Sequence, residues 1–200
     1  MTPTLPNEAH LYNDEYFDVT RNDPRRQIAY QQDAAEIMKR KPDLQVLFDI
    51  GGGHGEFGRY FDCEYFCYDP FAQNDKPNGK ADVIVFRGTL QHIYNPIEKL
   101  AEARTMLRDD GLLAILATPD TDSFGYIRWG TLPALDPCRN WIPFGHRMLN
   151  NVLIRLGFYN IEFDWPYKQP YASPIKNMWN FITGKPDAFP GNMMECFAMK

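Results

Sequence analysis

The chain lacks any apolar run near the roughly 20 residues that a helix needs to cross a bilayer. Its start, Met1-Thr2-Pro3-Thr4-Leu5-Pro6, lacks the basic and apolar stretches of a secretory leader. Cysteine is scarce, with only Cys63, Cys67, Cys138 and Cys196 in 200 residues. Cys63 and Cys67 fall on one face of an expected strand, too distant for an easy disulfide. No further pair of ligands at zinc spacing accompanies them. Buried, reduced thiols in a cytoplasmic protein are therefore expected. An excess of positive charge is missing as well: the formal net charge is -5, which speaks against a broad nucleic-acid surface. Repeats, low-complexity tracts and an acidic cluster that would demand Mg²⁺ are also missing, so metal-independent chemistry is expected. What is present is a hydrophobic content of 44%, enough for the core of a single α/β domain.

The densest signal lies at residues 46 to 57. An apolar run (Leu44, Val46, Leu47, Phe48, Ile50) reads as a buried strand and stops at four glycines in five residues, Gly51, Gly52, Gly53 and Gly55. A helix is expected to follow over Glu56–Phe61. A Gly-rich turn between a buried strand and a helix is where α/β proteins take nucleotide-like ligands, because the backbone can approach the ligand closely. The spacing Gly51-x-Gly53-x-Gly55 is neither the dinucleotide pattern nor a P-loop. A second short strand, Glu64–Tyr68, ends at Asp69. Ala81–Arg87 reads as a third buried stretch, followed by Gly88-Thr89-Leu90-Gln91-His92. A helix is expected from Pro96 to Leu107, with Ile97, Leu100, Ala101, Ala103 and Leu107 on its apolar face. A strand then runs to Ala117, before Thr118-Pro119-Asp120.

Asp49 followed by the three spaced glycines resembles the first motif of class I S-adenosylmethionine (SAM)-dependent methyltransferases. Gln91-His92 with Asn95-Pro96, Gln91 standing where that family's motif has Glu, and Leu107 to Asp120 resemble the family's later motifs in order. The segment before the last strands and the closing Gly191-Asn192-Met193-Met194 resemble the subgroup found beside sugar-modifying enzymes. The resemblance implies a Rossmann-like, three-layer α/β/α fold, mostly parallel with an antiparallel C-terminal strand. Between Asp69 and Val83 the chain is too short for the family's third strand and its helices. About six strands are therefore expected, with the second at an edge. The resemblance implies SAM as cofactor and S-adenosylhomocysteine (SAH) as product. It places cofactor contacts on Asp49, Gly51, Gly52, Gly53, Gly55, Asp69, Pro70, Arg87, Gly88, Gln91 and, from the N-terminal segment, Tyr16. Asp69 would accept from the ribose hydroxyls, and Asp49 would orient the turn or meet the methionine amino group. Arg87 would bind the methionine carboxylate or a substrate acid, or form a surface salt bridge. Adenine would rest on Phe71 or on backbone near Arg87.

The resulting organisation is one domain over 1–200. Residues 1–42 form a lid and helix, the helix running from Pro24 to about Arg40. Residues 43–120 form the SAM-binding core, and 121–145 and 166–190 are inserts for substrate or cover. Lys39-Arg40-Lys41 reads as a solvated helix end. Tyr12, Tyr16 and Phe17 would either cover the sulfonium or pin the terminus to the core. Residues 121 to 145, rich in aromatics, would bind an acceptor or form a small satellite core. Residues 166–190, with Ser173-Pro174 capping a short helix, would cover the pocket or a homo-oligomer interface. Of the four histidines, His92 and His146 are the candidate general bases. His54 reads as part of the turn. The expected activity is methyl transfer to a small hydroxyl-bearing acceptor, a sugar or sugar nucleotide, with no nucleic acid and no membrane involved. The competing reading is a SAM-binding protein without transferase activity. An NAD-linked dehydrogenase is opposed by the glycine spacing. A nucleic-acid methyltransferase is opposed by the charge and by the lack of an Asn/Asp-Pro-Pro-Tyr/Phe signature.

Overall fold

A computed structural model of the chain describes residues 24–72, 75–132, 134–136, 138–166, 179, 182–183 and 192–200. The expected lid residues Tyr12, Tyr16 and Phe17 lie outside the described residues, as do the Ser173-Pro174 cap and most of the 166–190 insert.

Among the described residues six strands form one sheet: β1 Val46–Ile50, β2 Glu64–Tyr68, β3 Ala81–Arg87, β4 Leu107–Pro119, β5 Tyr159–Asp164 and β6 Met193–Met199. Their order is β2-β1-β3-β4-β6-β5. β2, β1, β3 and β4 run parallel, and β6 is antiparallel to both β4 and β5. β2 stands at one end of that order, and the described residues between it and β3 form no strand. Phe66 on β2 is 45% exposed there, although its ring meets Phe48 edge-on.

The largely apolar stretches 46–48 of β1, 83–86 of β3 and 112–116 of β4 follow from burial on both faces, as expected for a parallel sheet. Side chains alternate across the sheet. Phe48, Ile84, Phe86, Leu113 and Ile115 pack with Leu100, Ala103, Leu149 and Leu153 on one face. Leu47, Val83, Val85, Leu112 and Ala114 pack with Ala34, Ile37 and Phe57 on the other. The helices that cover these faces are α1 Pro24–Arg40, α2 Pro96–Met106 and α4 His146–Arg155, with a short α3 at Phe124–Trp129. The result is the three-layer, Rossmann-like arrangement.

Several local expectations are corrected. Residues Glu56–Tyr60 form a 3₁₀ helix, not an α-helix. The segment is short and carries Gly58 in its middle, which disfavours a regular helix. Helix α2 ends at Met106, and Leu107 already pairs with Ala81 in the sheet. Ile97, expected on its apolar face, is exposed, whereas Pro96 is buried. The 121–145 segment includes helix α3, capped by the Ser123 hydroxyl accepting from the Tyr126 amide. The Lys39-Arg40-Lys41 run is not simply solvated. Lys41 is buried between Asp110 (2.7 Å) and Asp43 (3.2 Å), and the Arg40 guanidinium sits 3.9 Å over the Phe197 ring. Both pin the end of α1 to the sheet. The four cysteines are free, but of them only Cys196 is buried.

Candidate functional site

In the sheet order, β1 lies between β2 and β3, so the chain leaves β1 toward one side and later returns on the other. Open α/β sheets bind ligands in the crevice beyond the carboxyl ends of strands at such a switch point. The expected site residues among the described ones come off these ends or off the elements that pack there. The glycine turn follows β1, Asp69 follows β2, Gly88 to His92 follow β3, and Asp120 follows β4.

The glycine turn is held by its own framework. The Gly51 amide donates to the Tyr68 carbonyl at 2.6 Å. Gly51 has φ +78°, and a Cβ there would stand 2.1 Å from Thr89 Cγ2. A Cβ on Gly52 would stand 2.3 Å from Asp49 Oδ2. Close packing on β1 and on the post-β3 loop therefore requires glycine at both positions. Asp69 is buried and its carboxylate bridges two loops. Oδ2 accepts from the Gly53 amide at 3.0 Å, and Oδ1 accepts from the Phe71 amide at 2.9 Å. Asp69 thus orders the turn that precedes any ligand. Gly55 completes the turn as the cap of the 3₁₀ helix, Pro70 is exposed in the turn after Asp69, and the Gly88 amide donates to Leu116 O at 2.8 Å.

Asp49 is 1% exposed. The Tyr65 hydroxyl donates to Oδ2, while Oδ1 is buried without a partner. Burial pushes the Asp49 carboxyl up to about 6, against the opposing pull of the Tyr65 bond and Arg87. Burial and the adjoining Asp49 carboxylate push the Tyr65 phenol up. Gln91 is also buried. Its amide nitrogen donates to Gly88 O at 3.0 Å, leaving Oε1 buried and unpartnered. Two orphaned buried acceptors are costly unless a donor-bearing ligand or water meets them. That acceptor set fits a ligand carrying an ammonium and amino or hydroxyl groups.

Arg87 forms a salt bridge rather than projecting from the strand end. Its Nε donates to Asp33 Oδ2 of α1 at 2.6 Å, and its guanidinium lies 4.3 Å from the centre of the Tyr30 ring. A salt bridge is present, but it is largely buried and not the surface pair expected.

The two candidate bases differ in their partners. His92 Nδ1 lies 3.0 Å from Arg139 O, and a carbonyl can only accept, so Nδ1 carries the proton. The remaining lone pair on Nε2 faces the Gln91 amide nitrogen at 3.2 Å, so it already receives a proton donor. His146 is arranged the other way round. Its Nδ1 lies 2.9 Å from Asp120 Oδ2, and no described residue bonds its Nε2. The ring meets Trp165 edge-on at 5.4 Å, and the side chain is 28% exposed.

Asp120 was not foreseen as a functional residue. It is 1% exposed, and its carboxylate accepts four hydrogen bonds. Oδ1 takes the amides of Asp122 (2.9 Å) and His146 (3.1 Å). Oδ2 takes His146 Nδ1 and Trp165 Nε1 (3.0 Å). The only sequence signal was its place directly after β4 in Thr118-Pro119-Asp120. Asp120, Asp122 and His146 also bring three possible metal-ligand atoms within 4.8 Å, a grouping the sequence did not reveal. The four donors already occupy the lone pairs of Asp120, however, and surround it with positive dipoles that oppose a cation.

A family model described as a methyltransferase domain matches residues 23–162. No curated protein matches the chain in sequence. Among solved structures, a SAM-dependent methyltransferase from Archaeoglobus fulgidus is 16% identical, covers 86% of this chain and 94% of its own, and has a TM-score of 0.59. A SAM-dependent methyltransferase from Thermotoga maritima is 15% identical over 96% of each chain, with a TM-score of 0.60. The 1,6-didemethyltoxoflavin-N1-methyltransferase of Burkholderia thailandensis, solved with its acceptor and SAH, is 16% identical. The match covers 100% of this chain and 92% of that one, with a TM-score of 0.59. At such identities the likeness is one of fold.

Proposed function

We propose a function from one premise: the chain belongs to the methyltransferase-domain family. Its cofactor is SAM, which supplies a methyl group on a sulfonium already activated toward nucleophiles. The chain's own residues then have three tasks, namely to hold the donor, to orient the acceptor and to take a proton. Asp49 Oδ1 is the buried acceptor beside the glycine turn that suits the methionine ammonium. Gln91 Oε1 offers a second acceptor to the donor-bearing parts of the ligand. Asp69 and Gly53 keep the turn in shape.

The acceptor is a small hydroxyl-bearing molecule, a sugar or sugar nucleotide. A hydroxyl needs a general base more than a neutral amine does, and positioning alone carries the rest of the acceleration. His146 is that base, and the observation that carries this assignment is a carboxylate-bound Nδ1 opposite an Nε2 that no described residue bonds. His92, with both ring nitrogens engaged, ties the post-β3 loop to Arg139. The exposed Phe124 and the half-buried Trp141, whose ring meets Tyr94 edge-on at 5.4 Å, offer aromatic surface of the kind that sugars and flat molecules stack on.

Titration calorimetry with SAH, followed by turnover on a panel of sugar nucleotides, tests this reading. Micromolar or tighter SAH binding is expected. His146→Ala should lower turnover by about 10²–10⁴-fold, the usual contribution of a general base, with SAH affinity unchanged. His92→Ala should cost far less. Absence of SAH binding to the wild-type protein would overturn the donor assignment, and full activity of His146→Ala would overturn the base.

A further inference from the structure

We propose that Asp120 is the positioning residue of this site, holding His146 in the Nδ1–H tautomer so that Nε2 is the proton-accepting atom. The proposal builds on the reading of His146 as the base and adds what makes it one. A neutral imidazole has one N–H and one lone pair, and the partner of one nitrogen decides which nitrogen carries which. Asp120 offers only acceptor oxygens to Nδ1, at 2.9 Å. Nδ1 therefore donates and the lone pair stays on Nε2.

The carboxylate is itself immobilised. Two backbone amides, from Asp122 and His146, hold Oδ1. The Trp165 indole N–H, arriving just past the end of β5, holds Oδ2 beside the imidazole. Both oxygens must accept at once, and only a carboxylate of this length can do so. An amide has one accepting end. The arrangement uses three separate elements: the end of β4, the first turn of α4 and the residue after β5. In the reaction the acceptor O–H bond breaks, its proton moves to Nε2, and the new O–CH₃ bond replaces the S–CH₃ bond. Asp120 takes no proton, and the adjacent carboxylate stabilises the imidazolium that forms.

The test reads the tautomer directly and needs no acceptor. Long-range ¹H–¹⁵N spectra of the imidazoles are recorded at neutral pH for the wild-type protein, Asp120→Asn and Trp165→Phe. The His146 signals are assigned by their loss in His146→Gln. The wild-type protein should show Nδ1 protonated and Nε2 bare, and Trp165→Phe should keep that pattern. In Asp120→Asn the amide oxygen stays on the two backbone amides and its NH₂ turns to the ring, so the ring should switch to Nε2–H. An Nε2–H wild-type tautomer, or an Asp120→Asn variant with an unchanged one, would overturn the proposal. The wild-type spectrum decides even if Asp120→Asn does not fold. On an acceptor found in the panel, Asp120→Asn should lower turnover at least about tenfold at unchanged SAH affinity. It should cause no further loss in the His146→Ala background. Full turnover by His146→Ala would reject the base while leaving the tautomer result standing, so the two failures are separable.

Discussion

Replacing Asp49 by asparagine should make the protein more stable and the site worse. The carboxyl is buried and its acidity is displaced by that burial from 3.8 to about 6. Tyr65, Arg87 and Asp69 are the charged or titratable groups acting on it. Because the folded value lies above the unfolded one, the native state holds the proton more tightly. Below pH 4 both states are protonated and the site costs nothing. Between about pH 4 and 6 the unfolded chain has lost its proton while the native state keeps it, so stability falls as pH rises. At about 1.4 kcal/mol per pH unit, the displacement amounts to a loss on the order of 3 kcal/mol by neutral pH. The amide in Asp49→Asn would not titrate, and its carbonyl could still accept from Tyr65. Urea unfolding of the ligand-free protein at pH 4, 5, 6 and 7 is the assay. The stability of Asp49→Asn relative to wild type should rise across that series by about 2 kcal/mol, nearly all of it before pH 7. At pH 7 the same variant should bind SAH more weakly by about 1–3 kcal/mol, the range for losing a charged hydrogen-bond partner. A stability difference that stays flat from pH 4 to 7 would refute the account, because Asp49 would then carry no burial penalty.

Gly51→Ala should destabilise the fold by about 2 kcal/mol or more, from the positive φ and the clash with Thr89. Adding Thr89→Ala should recover only the clash part, and a urea midpoint equal to wild type for Gly51→Ala would contradict the geometry. Arg87→Met should cost about 3–5 kcal/mol by removing the cation from the buried Asp33 carboxylate. Equilibrium unfolding without ligand measures that cost, and a loss below about 1 kcal/mol would show the pair to be as weak as a surface ion pair.

The parts of the molecule legible in the sequence are those encoded locally. Apart from Asp49 and Asp82, the runs at Val46–Ile50 and Ala81–Phe86 are apolar without alternation, because both faces of those strands are covered, and that pattern survives without any knowledge of partners. The glycine cluster marks its own turn, since Gly51, Gly53 and Gly55 take positive φ there, a backbone demand that needs no distant partner to be read. Asp69 was recognisable as an acid at a strand end, but not as the residue that accepts from the Gly53 and Phe71 amides. Arg87 looked available for an anionic ligand because the sequence does not show Asp33, 54 positions earlier, approaching it across the helix layer. Lys41 looked solvated because its partner Asp110 lies 69 positions away. In each case the residue type was readable and the partner was not, because long-range ion pairs leave no periodic trace.

The two histidines take that argument to its end. Residue type and an expected place at the mouth of the site made His92, in the loop after a strand, and His146, at the start of the helix after the insert, equal candidates, and His92 sat in the more recognisable motif. What separates them is the inventory of donors and acceptors around each ring. Carbonyl and amide groups meet both nitrogens of His92, which spends the ring on holding a loop. A carboxylate meets one nitrogen of His146, and no described residue bonds the other. That carboxylate comes from 26 positions before the histidine, and the indole that steadies it from 45 positions after the carboxylate. Only the convergence of the carboxyl ends of β4 and β5 with the start of α4 brings the three together. The chemistry of the imidazole is therefore set less by where histidine stands in the sequence than by which strand ends the fold gathers around it.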